Sequence, residues 1–252
     1  MKNLTGKWVL ITGASRGIGR LSALFMAEQG CNLILHSRKL SGTESLVEEV
    51  KAKGVQAVAV AANLENLSEV DEMLKKIDEL GMQVDVVLNN AGLQIGYRTE
   101  YLDTPIEDYG ISFAINTIAP MRICYHFIPG MIKRGFGRVV NTTSGIALEA
   151  EQAGYSASKA ALDKVTIDLG YKLDQMKDSD VVINLADPGW CRTDLGGPNA
   201  PNSPESTIPG IVVGAFVDDG KSGRIFGAQD YCGMTLEAAV KKAEEKPSPY
   251  TI

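Results

Sequence analysis

The sequence has few of the residues that bind metals or form disulfides. Its 252 residues include four cysteines and two histidines. The cysteines lie far apart, without a CxxC pair or a Cys/His ligand spacing: Cys31, Cys124, Cys191 and Cys232. We therefore expect free thiols in a reducing cytoplasm and no metal site.

Long apolar runs and an excess of positive charge are also absent. No stretch approaches the roughly 18 apolar residues that favour a membrane span. Glycine and polar residues follow the first apolar segment, Trp8–Ile11, at once, which does not fit a signal-peptide core. The net charge is −6, and the small Lys/Arg clusters form no stripe that would bind nucleic acid. We expect a cytoplasmic protein with no membrane and no nucleic-acid partner.

Short apolar and β-branched segments alternate with longer amphipathic ones. The short segments are typical of strands: Trp8–Thr12, Asn32–Leu35, Ala57–Val60, Val84–Leu88, Arg138–Thr142 and Val181–Leu185. The longer segments predict helices: Gly19–Gln29, Gly42–Lys53, Leu67–Leu80, Ile106–Ile132 and Tyr155–Gln175. Pro120 is expected to interrupt or kink the fourth helix. The alternation predicts one α/β domain over residues 1–252, a doubly wound parallel sheet with helices on both faces.

The last quarter of the chain is less regular. Gly223–Ala228 predicts a short last strand, and Leu236–Lys246 predicts a helix. Residues 190–222 include a Gly- and Pro-rich stretch, and we expect them to form a substrate loop or lid. Residues 229–252 are expected to form a C-terminal extension.

A glycine-rich segment, Thr12–Gly19, follows the first strand and opens the first helix. Its glycines let the backbone turn tightly and approach a pyrophosphate, while the helix N-terminus presents N–H groups to the anion. The spacing Gly-x-x-x-Gly-x-Gly in this context resembles that of the short-chain dehydrogenase/reductase family. The resemblance implies a Rossmann-type fold that binds a nicotinamide dinucleotide. The residues of this loop expected to bind the coenzyme are Gly13, Ser15, Arg16, Gly17, Ile18 and Gly19.

The end of the second strand indicates which nicotinamide coenzyme is used. An NAD site would place an acid there for the ribose 2′-hydroxyl, but the first acid after this strand is Glu44. Arg38 and Ser37 stand there instead, and Arg16 of the glycine loop is expected to flank the same position. Arginine pairs well with a 2′-phosphate, so we expect NADP(H). The alternative is that Arg38 and Lys39 are only solvated loop charges.

Three further segments resemble family motifs. The resemblance implies coenzyme contacts at these positions: Asn90, Ala91 and Gly92 after the fourth strand, Asn63 and Leu64 after the third, and Pro188, Gly189 and Thr193 after the sixth. The family usually has aspartate at the position of Asn63, and an amide cannot act as a carboxylate acceptor. The adenine contact therefore stays open. His36 and His126 are assigned structural or adenosine-side roles.

The segment Tyr155–Lys159 carries the candidate reacting groups. Residues four apart share a helix face, and an ammonium beside a phenol lowers its pKa, so Tyr155 is expected to exchange a proton with the substrate oxygen. By resemblance, Ser144 polarises the carbonyl, Asn116 supports a proton relay, and both Tyr155 and Lys159 also contact the coenzyme. Thr143 or Thr142 is the alternative to Ser144 if the alignment shifts.

These motifs predict an NADPH-dependent enzyme that transfers a hydride between the nicotinamide and a small-molecule substrate, a ketone or a secondary alcohol. A non-catalytic NADP(H)-binding sensor on the same fold is the alternative, and a nicotinamide-using epimerase or lyase is a third. The family commonly assembles through the helices near Ile106–Ile132 and Tyr155–Gln175, which implies a homodimer or homotetramer.

The substrate cannot be named from these motifs. Six residues could wall a moderately apolar pocket or could equally belong to the core: Leu93, Gln94, Ile95, Leu148, Trp190 and Leu195.

Overall fold

The computed structural model describes residues 1–96, 100–150, 152–176 and 178–250. The strands are β1 Trp8–Ile11, β2 Asn32–Ser37, β3 Ala57–Ala61, β4 Val84–Asn89, β5 Phe136–Thr142, β6 Asp180–Asp187 and β7 Ile225–Gly227. They form one parallel sheet in the order β3-β2-β1-β4-β5-β6-β7. The chain therefore leaves β1 toward one edge of the sheet and returns at β4 toward the other. The predicted doubly wound Rossmann-type sheet is confirmed.

Helices cover both faces of the sheet. They are α1 Gly17–Glu28, α2 Glu44–Lys51, α3 Leu67–Glu79, α4 Ile106–Phe113, α5 Ala119–Arg134, α6 Gly154–Asp174 and α7 Leu236–Glu244. Successive residues of a strand point to opposite faces. Val9 and Ile11 accordingly pack with residues of α1, α2 and α7, whereas Leu10 packs with residues of α3 and α5.

The segment predicted as one helix, Ile106–Ile132, is divided by a wide turn. Residues Ala114–Ile118 form a π-helical turn between α4 and α5, and the Ala119 N–H bonds to the Ala114 carbonyl. Pro120 has no N–H to bond the carbonyl four residues before it, so the regular ladder cannot run through this point. The chain stays helical past Pro120, so the distortion lies just before the proline.

A buried arginine stands near the amino end of β5, away from the strand ends that carry the motifs. Arg138 is 0% exposed and pairs with Asp180 at 2.8 Å. It also donates to the Val217 carbonyl from Nε and Nη2, at 3.3 and 3.2 Å. A buried charge is stable only when it is paired and hydrogen-bonded, so Arg138 joins β5, β6 and the segment before β7. Periodicity alone gave no sign of this contact.

Candidate active site

The glycine loop lies at the carboxyl edge of the sheet, where the strand order reverses between β1 and β4. Gly13 and Gly17 have positive φ angles of 68° and 53°, which L side chains rarely adopt. A Cβ on Gly19 would lie 2.3 Å from the Gly13 oxygen and 2.5 Å from the Asn90 amide nitrogen. The loop can take this shape only with glycine at these positions.

His36 fixes the glycine loop to the neighbouring strands. The Gly13 N–H donates to its Nδ1 at 3.2 Å, and its Nε2 lies 3.1 Å from the Ala62 carbonyl oxygen. These partners require a neutral ring with the proton on Nε2. Burial lowers the pKa of His36, which favours the same form. The contacts support the structural role among the two roles predicted for this histidine.

The N-terminus of α1 fits an anion. Among the described residues no side chain caps it, and its first turn contains no acid. Its first N–H groups are therefore available to a phosphate and reinforced by the helix dipole. The loop after β6 faces it, because a Cβ on Gly17 would lie 3.4 Å from Thr193 Cγ2. Asp194, the residue after Thr193, forms an exposed ion pair with Arg16 at 2.5 Å, which joins the two loops.

The structure brings Ser15 and Ser37 together beside the glycine loop. A Cβ on Gly42 would lie 2.9 Å from Ser37 Oγ and 3.5 Å from Ser15 Cβ. The Ser37 hydroxyl donates to the Lys39 carbonyl at 2.6 Å, and Arg38 is exposed at the same strand end. The strand end is thus open to a ligand, with a cation at its rim.

Asn63 and Leu64 differ in what they offer to an adenine. The side chain of Leu64 is buried in the core, which leaves only its backbone to face a ligand. Asn63 Oδ1 accepts the Glu65 N–H at 3.3 Å, and the Asn63 N–H donates to Glu69 at 2.8 Å. Asn63 is therefore used in a local turn.

Asn90 and Ala91 join the end of β4 to the glycine loop. The Asn90 amide donates to the Thr12 carbonyl at 3.1 Å, and the Ala91 N–H donates to Thr12 Oγ1 at 3.0 Å. A Cβ on Gly92 would lie 3.6 Å from Lys159 Nζ. The first two residues shape the loop, and Gly92 leaves room in front of the lysine.

Tyr155, Ser144 and Lys159 lie together. The Ser144 hydroxyl lies close enough to the Tyr155 phenol to lower its pKa. The Lys159 ammonium is buried, donates to the Thr142 carbonyl at 2.7 Å and lies 6.0 Å from the centre of the Tyr155 ring. Helix α6 thus supplies two of the groups, and the end of β5 supplies the third.

The expectation that Lys159 lowers the pKa of Tyr155 is not met. Burial raises the pKa of Tyr155 to about 12, and the negative charge of Asp187 acts in the same direction. Burial also lowers the pKa of Lys159 to about 8, against the attraction of Asp163 and Asp187. Removal from water disfavours the charged forms of both groups, the phenolate of Tyr155 and the ammonium of Lys159.

Asn116 lies in the π-helical turn and is fully buried. Its amide nitrogen donates to the Leu93 carbonyl at 2.8 Å and to Ser158 Oγ at 3.0 Å, and its Oδ1 accepts the Leu93 N–H at 2.8 Å. The side chain is therefore engaged in joining the loop after β4 to α6. Its backbone carbonyl is the group that Pro120 leaves without its usual helical donor.

The turn at Pro188 and Gly189 is held by two side chains that sequence reasoning missed. The Gly189 N–H donates to Asp187 Oδ1 at 2.9 Å, and the Gln229 amide donates to the Pro188 carbonyl at 2.9 Å. Asp187 directly precedes the Pro-Gly motif, so its position alone was a usable signal. Gln229 comes from the far end of the chain, and no local pattern connected it to this turn.

The six candidate wall residues are not ordinary core. Four are exposed: Ile95 by 38%, Leu148 by 91%, Trp190 by 59% and Leu195 by 44%. The other two, Leu93 and Gln94, are half-buried. Most of them lie on loops at the edge that carries Tyr155, and Ile95 and Tyr155 line the same small cavity. The core interpretation is wrong for the four exposed residues, and the pocket interpretation stays a prediction.

Two kinds of feature are absent from the described residues. No group of three or more His, Cys, Asp or Glu side chains is arranged to hold a metal ion. No helix in this part of the chain is long and apolar enough to cross a membrane.

Comparisons with known proteins agree with this geometry. The family model described as short chain dehydrogenase matches residues 7–203. A 3-oxoacyl-[acyl-carrier-protein] reductase of Synechocystis sp. is 33% identical, over 77% of this chain and 78% of that protein. The oxidoreductase yciK of E. coli has the same fold, with a TM-score of 0.80 over 90% of this chain and 97% of that one, at 24% identity. A metagenomic short-chain oxidoreductase in complex with NADP matches with a TM-score of 0.67 at 27% identity, over 74% and 84% of the two chains.

Proposed function

This chain belongs to the short-chain dehydrogenase family, and we propose that it is an NADPH-dependent oxidoreductase that interconverts a ketone and a secondary alcohol. The observation that carries the proposal is the meeting of the Tyr155 and Ser144 hydroxyls beside the Lys159 ammonium. A sensor without turnover would have no use for this arrangement. The complete set therefore favours catalysis over the alternative of a binding protein.

The residues divide the chemistry among them. The coenzyme, when bound, supplies the hydride to the carbonyl carbon. Tyr155 donates its proton to the carbonyl oxygen, and Ser144 hydrogen-bonds the same oxygen and polarises the bond. The phenol is a suitable acid because burial keeps it protonated. The Lys159 ammonium, 6.0 Å from the ring centre, offsets part of the cost of the phenolate that remains, and the Asn116 carbonyl, which has no donor at Pro120, offers a place for the water that returns the proton.

The same edge of the sheet fits the coenzyme. The uncapped start of α1, with Gly13, Ser15, Gly17, Ile18 and Gly19, would hold the pyrophosphate. Ser37, Arg38 and Arg16 would bind the 2′-phosphate, with Arg16 leaving Asp194. The remaining contacts proposed are the backbone of Asn63 and Leu64, the turn of Asn90, Ala91 and Gly92, the Lys159 ammonium toward the ribose, and Pro188, Gly189 and Thr193 beside the nicotinamide.

The coenzyme assignment is tested by binding. We expect NADPH to bind more tightly than NADH in a fluorescence titration, and Arg38→Asp to remove that difference. Lys75→Asp, on the exposed face of α3, is a matched change of charge far from the strand end and should leave the preference intact. Tighter binding of NADH, or an unchanged preference in Arg38→Asp, would contradict the assignment.

The catalytic assignment is tested with Tyr155→Phe, which keeps the ring and removes the transferable proton. Turnover should fall by roughly 10²–10⁴-fold, as expected for lost acid–base catalysis, with little change in NADPH affinity. Tyr250→Phe is the control, because this tyrosine bonds Asp174 at the opposite end of α6 from Tyr155. The substrates to screen are ketones, quinones, sugars, steroids and 3-oxoacyl thioesters. The thioesters are included because the Synechocystis relative is named as a 3-oxoacyl-[acyl-carrier-protein] reductase. Near-normal turnover in Tyr155→Phe would refute the mechanism.

We also propose that the protein forms a homodimer or homotetramer through α5 and α6. These helices expose large apolar side chains, namely Tyr125 by 58% on α5 and Tyr171 by 44% on α6, and Ile118 just before α5 is exposed by 45%. Exposed aromatic residues are enriched at interfaces. Light scattering at micromolar concentration tests the proposal, and a monomer alone would contradict it.

A further inference from the structure

The carboxylate of Asp187 lies between the two loops that the proposed reaction uses. Asp187 is the last residue of β6 and pairs with Gly227 of β7. Its Oδ1 accepts the Gly189 N–H at 2.9 Å. Its Oδ2 lies 2.9 Å from the position that a Cβ on Gly145 would occupy, next to Ser144. One oxygen therefore fixes the Pro-Gly turn, and the other faces the serine loop.

The charge of this carboxylate reaches the reacting groups. On α6, Asp187 raises the pKa of Tyr155, of Lys159 and of Asp163. On its own loop it raises the pKa of Cys191. Burial is the largest cause of each pKa shift. The Asp187 carboxylate acts in the same direction as burial for Tyr155, Asp163 and Cys191, and in the opposite direction for Lys159. The charged form of Lys159 is the one that Asp187 stabilises. This ammonium is buried and donates to an uncharged carbonyl, so it has no charged partner in that hydrogen bond.

We propose that Asp187 is a positioning residue for the Tyr155–Lys159 pair, holding the Pro188–Gly189 turn through Oδ1 and keeping Lys159 charged through its negative charge. This inference rests on the proposed function. A buried ammonium needs a compensating charge, and Asp163 on the same helix is itself destabilised by burial. Asp163 is the larger source of that charge, and Asp187, half-buried at the end of β6, adds to it from outside the helix.

Two substitutions separate the two roles. Asp187→Asn keeps an oxygen that can accept the Gly189 N–H and removes the charge. Asp187→Ala removes both. Asp168→Asn, an exposed carboxylate on α6 paired with Lys164, is the control for a charge change on the same helix.

The charge is tested by NMR titration of lysines labelled with ¹³C at Cε, with the Lys159 signal assigned from Lys159→Arg. The midpoint in the parent protein should lie near the shifted pKa of about 8. In Asp187→Asn we expect the proton affinity of Lys159 to fall at least about threefold, or half a pH unit, and in Asp168→Asn to stay the same. An unchanged midpoint in Asp187→Asn would overturn the proposal.

The turn is tested by coenzyme binding. Asp187→Asn should bind NADPH nearly as the parent does, whereas Asp187→Ala should bind about fivefold more weakly because it lacks the hydrogen bond to the turn. Equal affinities in the two variants would refute the role of Oδ1. The NMR titration needs no substrate or turnover. If Tyr155→Phe abolishes activity but Asp187→Asn leaves the titration midpoint of Lys159 unchanged, this inference is refuted and the proposed function is not.

Discussion

The buried carboxyl group of Asp163 should destabilise the folded protein at neutral pH, and Asp163→Asn should relieve that cost. Asp163 lies on α6, one turn after Lys159. Its Oδ1 is buried and has no hydrogen-bond partner among the described residues. Burial raises the pKa of Asp163 from 3.8 to about 6. The folded state therefore holds this proton more tightly than the unfolded chain does.

The pKa shift of Asp163 sets the magnitude of the change in the free energy of unfolding and the direction of its dependence on pH. About two pKa units correspond to roughly 3 kcal/mol as an upper limit. The side chain is partly exposed, and solvent screening reduces this figure, so we expect about 1–1.5 kcal/mol. Below about pH 4 both states are protonated and the cost is absent. As the pH rises through about 4 to 6 the unfolded chain releases its proton first, and the parent protein loses stability; above about pH 7 the loss is complete.

Urea unfolding of the parent and of Asp163→Asn across this pH range measures the difference. The gain in the free energy of unfolding should be near zero at about pH 4 and reach its plateau at about pH 7–8. Asp168→Asn, an exposed residue on the same helix, should show a small difference without that rise. The reasoning fails if the difference for Asp163→Asn does not grow with pH, or if the variant is less stable at pH 8.

Three further substitutions test other parts of the structure. Gly19→Ala should weaken coenzyme binding and lower the free energy of unfolding by about 1–3 kcal/mol, because its Cβ would overlap the Gly13 oxygen; both are measurable by titration and urea unfolding. Arg138→Met should cost about 3 kcal/mol in urea unfolding, because the Val217 carbonyl and Asp180 lose their partner, yet leave the coenzyme dissociation constant unchanged. Leu148→Glu should leave stability unchanged, since the side chain is 91% exposed, and should lower kcat/KM for apolar ketones by about tenfold in a steady-state assay; equal effects on polar and apolar substrates would contradict the pocket assignment.

Local sequence patterns were sufficient for the strands, most helices and the closeness of Tyr155 and Lys159. Tyr155 and Lys159 could be placed on one face because four residues make about one helical turn. The glycine loop was predictable for a similar reason, since its strand, turn and helix are consecutive in the chain. The doubly wound sheet follows from the alternation of strands and helices, which is a general rule of chain topology. Each of these inferences depends on residues close in sequence or on a general rule of chain topology.

The contacts that sequence did not predict join distant segments. Gln229 holds the Pro188 carbonyl across 41 residues, and Arg138 holds Val217 across 79. Nothing in the pattern around Gln229 distinguishes it from a polar residue in solvent. Its role depends on β7 returning the chain to the side of β6, and periodicity does not specify which side chains then meet.

The error about Tyr155 has the same origin. Spacing on α6 predicts that an ammonium lies near the phenol, but it does not give the burial of either group or the carboxylates around them. Burial moves the pKa of Tyr155 up and that of Lys159 down, and Asp187 comes from a different strand. Because burial lowers the pKa of Lys159 to about 8, its charge at neutral pH depends on acids outside the Tyr155–Lys159 motif. Asp163 and Asp187, which lie outside that motif, are the acids that oppose the effect of burial on Lys159.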